Sequence, residues 1–258
     1  MIKASDSQGV QSVERALRIL EELASHAEGV RLSDLARGLG LPVSTTHRLL
    51  TTLEKRGFAQ ASAEGGLWHV GRRAFFVGAA YGRRVNYAAV ALPYLRRLRD
   101  ATRETANLGV LDDGEVITVA QVESREIMRA IAPPGGRAPV INSAMGKAMI
   151  AAWPDAAIGE LIRRSGLHRL TATSLMRPED VLAEIARVRL EGYAVDNEEF
   201  VTGMRCVASA VFSAAGEPLF AISISGLAAR VTQDRIARYG QTVSKMAQQL
   251  AAKISGEG

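Results

Sequence analysis

Between Leu41 and Gly57 the chain collects Ser44, Thr45, Thr46, His47, Arg48 and Thr52, followed by Lys55 and Arg56. Hydroxyls, an imidazole and guanidinium groups are the side chains that bind phosphate oxygens and base edges, and Arg48 suits a bidentate contact with guanine. Lys55 and Arg56 suit phosphates better than bases. Leu49, Leu50 and Leu53 recur at helical spacing in the same stretch, so a helix is expected that opens near Pro42, closes at Gly57 and gives its wet face to these donors. Ser44 and Thr45 fall near the positive end of its dipole, where they could cap the helix, meet a phosphate, or both.

Two elements must hold such a helix in place. In "SVERALRILEELAS" Val13, Ala16, Leu17, Leu20 and Ala24 recur every three or four residues behind a Ser12 cap, which predicts an amphipathic helix. Ser33 is expected to cap a short helix, "DLARGLG", that turns Leu35, Ala36 and Leu39 inward and ends at Gly40. Ser33 also stands among the candidate DNA contacts. Helix, short helix, tight turn, helix is a helix-turn-helix layout. "FAQASAEGGLWHVG" then reads as a wing of two strands around Glu64-Gly65-Gly66, with Trp68 packed beneath and Arg72 and Arg73 able to reach the DNA backbone.

The charge agrees with this placement. The net +5 is concentrated at the front: residues 1 to 85 hold twelve Lys/Arg against eight Asp/Glu, and the rest of the chain is nearly balanced. The single cysteine, Cys206, excludes an internal disulfide, and the four histidines lack metal-ligand spacing, so no metal or other cofactor is expected. No run of 18 apolar residues exists and the first residues lack the apolar core of a signal peptide, which predicts a cytoplasmic protein without a membrane partner.

Past the wing, "RRAFFVGAAYGRRV" reads as a helix, followed by a second from Tyr87. Next come a hairpin turning at Asp113-Gly114, a Pro/Gly-rich loop, a helix from about Ser143 to Ala152, and a clear helix in "PEDVLAEIARVRLEG". Three strands, "YAVDNEE", "CVASAVFS" and "PLFAISISG", and a long terminal helix complete the pattern. The expected fold is α+β: a winged helix-turn-helix domain over residues 8–71, a helical linker over 72–86, and a second α+β domain over 87–256.

Nearly the whole chain resembles the IclR family of bacterial transcriptional regulators. The front, "VQSVERALRILEELA" and "RLSDLARGLGLPVSTTHRLLTTLEKRGF", is similar to the family's winged helix. "RAPVINSAMGKAMIA" and "GYAVDNEEFVTGMRCVASAVFSAAGEPLFAISISG" are similar to its C-terminal signatures. The resemblance implies a GAF-like effector-binding domain, a homodimer or homotetramer on a double-stranded DNA operator, and a regulator such as a repressor. Carried over by position, it also implies an effector pocket of Ala144, Met145, Asp196, Cys206, Ser223 and Ser225, with Ile127 as a wall. Ser223 and Ser225 are two apart and share one side of a strand, so their hydroxyls, beside the amides of a helix start, would suit a small organic or aromatic acid. Met145 is larger than the residue the family often places there, and Leu227 stands where it often has proline.

Two rivals follow from the same residues. A phosphate loop at "NSAMGKA" would need Gly where Ile141 stands and Ser or Thr at Ala148, and "SISGL" lacks the first glycine of a nucleophile elbow, so an enzyme is disfavoured and no catalytic residue is assigned. An architectural DNA-binding protein, with a back domain that only oligomerises, is the other alternative.

Overall fold

A computed structural model describes residues 10–62, 66–84, 87–130 and 133–256. The expected turn at Glu64-Gly65, the linker's last residues 85 and 86, and residue 8 lie outside them. The chain divides into two units, Met1–Val85 and Asn86–Gly258.

The first unit contains α1 (Gln11–Ala24), β1 (Val30–Arg31), α2 (Leu32–Gly38), α3 (Val43–Lys55), β2 (Ala59–Ala61), β3 (Leu67–Val70) and α4 (Arg72–Arg84). Gly40, at φ +64°, turns the chain between α2 and α3. The core joins Ile19 and Leu23 of α1, Leu35 and Leu39, Leu50 of α3, and Trp68 under the wing. The three strands form an antiparallel sheet in the order β1-β3-β2. β1 is an addition to the expected hairpin, because two residues are too few to show an alternating pattern.

Three expectations are corrected at the helix starts and on the face of α1. Ser12 lies inside α1 and Ser33 inside α2, while Val10 and Arg31 occupy the cap positions without a side-chain hydrogen bond. α3 does open near Pro42, which holds the cap position just before Val43. On α1, Ile19 and Leu23 are buried, whereas Val13 is 56% and Leu17 54% exposed. That helix carries two apolar stripes, and packing against its neighbours uses the one centred on Ile19.

The second unit comprises α5 (Tyr87–Thr102), β4 (Thr105–Asp112), β5 (Glu115–Val122), β6 (Arg137–Pro139), α6 (Ala144–Ile150), α7 (Asp155–Ser165), α8 (Pro178–Glu191), β7 (Ala194–Asn197), β8 (Met204–Phe212), β9 (Pro218–Leu227) and α9 (Gln233–Ser255). Its six strands form one antiparallel sheet in the order β6-β5-β4-β9-β8-β7. Asp113 and Gly114 turn β4 into β5 at φ +41° and +84°, the two positive angles that a two-residue type I′ turn demands. Alternation along β9 divides the core: Phe220, Ile222 and Ile224 pack with Leu95, Leu98, Val243 and Leu250 of α5 and α9. Ala221, Ser223 and Ser225 face the opposite side, where small residues at Ala208, Ala210 and Ala221 let α6 approach, with α7 and α8 in the same cluster. The α+β expectation holds.

Candidate functional site

α3 turns Leu50 and Thr46 fully inward, with Leu49 and Leu53 half-buried against the core. Thr46 therefore leaves the set of candidate DNA contacts: it is buried, and its Oγ1 donates to the carbonyl of Pro42 at 3.1 Å. Ser44, His47, Arg48, Thr52, Lys55 and Arg56 are exposed and Thr45 is half-exposed, as is required of a face that meets another molecule. Ser33 is exposed on α2.

Among the described residues, no carboxylate pairs with Arg48, Lys55 or Arg56, so three cations stand free on or beside one helix. No side chain caps the start of α3, which leaves Ser44 and Thr45 uncommitted beside its first amides. Thr52 Oγ1 donates back to Arg48 O at 2.8 Å, so only its lone pairs remain to accept a bond. Thr45, His47, Arg48, Thr52 and Lys55 line one shallow concavity with Ser12 of α1. Chemically, this is a cationic, donor-rich surface of helix width. Trp68 is buried under the wing and Arg72 and Arg73 are exposed, as the sequence suggests.

In the second unit, cross-strand register brings the candidate pocket residues together. Asp196, Cys206 and Ser225 are neighbours across β7, β8 and β9, and Ser223 lies beside Asn107 of β4. Asn107 Nδ2 donates to Ser223 Oγ at 3.3 Å and to Ser225 Oγ at 3.1 Å, while Gln121 Nε2 donates to Asn107 Oδ1 at 3.1 Å. The two serines thus belong to a buried polar ladder, and α6 stands over it with Ala144 and Met145 at its start, both buried. Met145 rests on Gly109 of β4, where a Cβ would come within 2.9 Å of its sulfur. That contact narrows the space over the sheet, as its size foretells. Ile127 does not join this group: it is 95% exposed in the loop after β5 and is no wall of it.

Asp196 is buried and accepts the amides of Glu199 at 2.7 Å and Phe200 at 3.3 Å. Burial, reinforced by the negative charge of Glu199, nevertheless pushes its carboxyl up to about 6. Cys206 is half-buried, and desolvation, with Asp196 nearby, raises its thiol well above the ordinary range.

Sequence reasoning missed Asn107, Gln121, Lys147 and Glu199. Lys147 is completely buried in α6 and donates to Glu199 Oε1 at 2.5 Å, with Glu184 at 3.8 Å. Two signals existed: a strand-disfavoured Asn inside apolar β4, and a Lys with apolar or small neighbours on every side in "AMGKAMI".

The family model described as "Bacterial transcriptional regulator IclR C-terminal" matches residues 79–252, and "IclR helix-turn-helix domain" matches residues 12–62. The chain is 40% identical over 249 residues to the transcriptional repressor IclR of Escherichia coli K12, covering 96% of this chain and 91% of that protein. It is 38% identical to the HTH-type transcriptional regulator BhcR of Paracoccus denitrificans, over 96% of this chain and 88% of that one. Among solved structures, an IclR homologue from Microbacterium hydrocarbonoxydans complexed with 4-hydroxybenzoate has the same fold, with a TM-score of 0.83 at 21% identity over 95% of this chain and all of that one.

Proposed function

From the premise that this chain belongs to the IclR family of bacterial transcriptional regulators, we propose that it binds a palindromic operator through α3 and is controlled by a small organic acid held between α6 and the polar ladder. That it is a DNA-binding regulator and no enzyme follows from the family, since its relatives bear the names of repressors and regulators. The observation that carries the operator reading is the free cationic face of α3. Ser44, Thr45, His47, Arg48 and Thr52 approach base edges, and Lys55, Arg56 and Ser33 hold the phosphate backbone. Residues 8–71 form the DNA-binding domain, 72–86 the linker and 87–256 the effector domain.

One such helix reads only a few base pairs, so a homodimer or tetramer is required for selectivity. Val10 at the cap of α1 with Val13 and Leu17 of α1, all exposed, and Phe75 and Phe76 of α4, exposed by 75% and 63%, supply apolar area for self-association.

For the effector, Ser223, Ser225, Asp196, Cys206 and the start of α6 offer hydroxyls and a protonatable carboxyl to an acid. The 4-hydroxybenzoate held by a protein of the same fold supports this class. A regulator of genomic DNA works in the cytoplasm, and no helix among the described residues is long and apolar enough to cross a membrane. Nothing favours the architectural alternative. The test is operator retention with and without a panel of small carboxylic acids: a specific acid should shift affinity for the operator, and thermal stabilisation by an acid with unchanged DNA affinity would overturn the regulatory reading.

A further inference from the structure

Asparagine is a residue that strands disfavour, yet Asn107 lies buried in β4 between Ala106 and Leu108. Register sets it level with Gln121 of β5 on one side and Ser223 of β9 on the other. Its amide is held in one direction. Oδ1 accepts from Gln121 Nε2 at 3.1 Å, while Nδ2 donates to Ser223 Oγ at 3.3 Å and to Ser225 Oγ at 3.1 Å. Turned over, the amide would set its NH2 group against the NH2 group of Gln121, so Gln121 keeps the donors aimed at the serines.

That direction decides what the serines can offer. A hydroxyl has one hydrogen and two lone pairs, and each serine spends a lone pair on Asn107. Ser225 also meets the thiol of Cys206, its neighbour across β8 and β9. Ser223 is 1% exposed and donates to no acceptor among the described residues, so its hydrogen is a buried donor that the chain itself does not use. Such a donor is costly until something accepts it. Ser223 shares with Ala221 the face of β9 that α6 covers, which is where the proposed effector enters.

We propose that Asn107 sets the hydrogen-bond polarity of the effector site: it makes Ser223 a donor toward the ligand, and so makes the site choose a carboxylate over the amide of the same shape. The inference rests on the effector reading of that site and adds what selects the acid. A carboxylate presents lone pairs on both oxygens, and its charge about doubles the strength of a hydrogen bond that it accepts. A carboxamide has one oxygen to offer, and its NH2 group would meet the hydroxyl hydrogen with another hydrogen. Asn107 acts through the serine, so it is a positioning residue.

The experiment is calorimetric titration of the full chain, without DNA, with benzoate, 4-hydroxybenzoate, butyrate and succinate, each beside its own amide. The unaltered chain should bind at least one acid about tenfold or more tighter than its amide. Two variants then change the polarity. Asn107→Leu keeps the volume without a charge and frees the serine hydrogens to turn elsewhere. Gln121→Glu acts from a half-buried position one strand away, drawing Asn107 Nδ2 to itself and turning Oδ1 to the serines. Each should narrow the acid-to-amide ratio about tenfold, with the affinity for the amide held or improved. A ratio unchanged in either variant while Tm shows it folded, or equal losses of acid and amide, would overturn this proposal alone. An unaltered chain that binds none of the acids would overturn the effector reading beneath it.

Discussion

Arg48 and Lys55 share one helix but differ in what a loss would reveal. In the proposed reading Arg48, one turn inside α3, makes a bidentate base contact, so Arg48→Ala should relax preference at its base pair by about 1–3 kcal/mol. Lys55, at the last position of α3, meets phosphate in the same reading, so Lys55→Ala should weaken all duplexes about equally and lower the slope of log affinity against log salt by about one. Titrating operator and mismatched duplexes at several salt concentrations separates the two, and matching profiles for both variants would refute the assignment. Asp196 makes a pH prediction. Below about pH 4 its carboxyl is protonated whether the chain is folded or not; as pH rises through about 6 the unfolded chain has released its proton while the buried group resists, so stability falls across that window. The full effect is on the order of 2–3 kcal/mol. Asp196→Asn, which keeps an oxygen for the two amides, should flatten that part of a plot of Tm against pH. An unaltered slope would locate the charge effect elsewhere.

Single elements differ in how openly their sequences declare them. The β4–β5 hairpin was legible because Asp113-Gly114 is local turn chemistry, and α3 was legible because its leucines leave only one arrangement of its donors. α1 was misread because Val13–Leu17 and Ile19–Leu23 compete as buried stripes, and only the neighbours of the folded chain choose between them. Strands of two and three residues, β1 and β6, hold too few positions to reveal a period. Asp196, Cys206 and Ser225 could be grouped only through the family resemblance, and the Lys147–Glu199 pair, 52 residues apart, left no mark beyond an oddly placed lysine. Thr46 shows the reverse error, a hydroxyl counted as a contact because composition ignores direction. In α6, Met145 lies on Gly109, and in the proposed effector site this contact sets the width. Met145→Ala should admit bulkier aromatic acids while costing about 2–5 kcal/mol of stability, the usual toll of a buried methionine truncation. Calorimetric titration with a size series of acids would detect the change, and an unchanged size limit would show that another side chain sets it.

For the molecule as a whole, the proposed operator reading makes selectivity depend on presenting two recognition helices at once. Two-fold pairing places half-sites about one helical turn of DNA, or a multiple, apart. Leu17→Glu puts a charge into the bare stripe of α1 without touching the core, so it should leave Tm nearly unchanged while shifting the protein toward monomer and weakening operator binding at least tenfold. Sedimentation velocity and duplex titration read the two effects. Undisturbed assembly with full affinity would assign the association to other surfaces.

Cys206 has a practical consequence. As the chain's one thiol, sunk beside an acid and held in its protonated form, it should react sluggishly with maleimides and iodoacetamides at neutral pH. The native chain is therefore already a nearly silent background for fluorophore or spin-label attachment. A cysteine introduced at an exposed position of α3 would take the label alone, and the distance between two such labels in an assembly would report directly how far apart its reading heads are held.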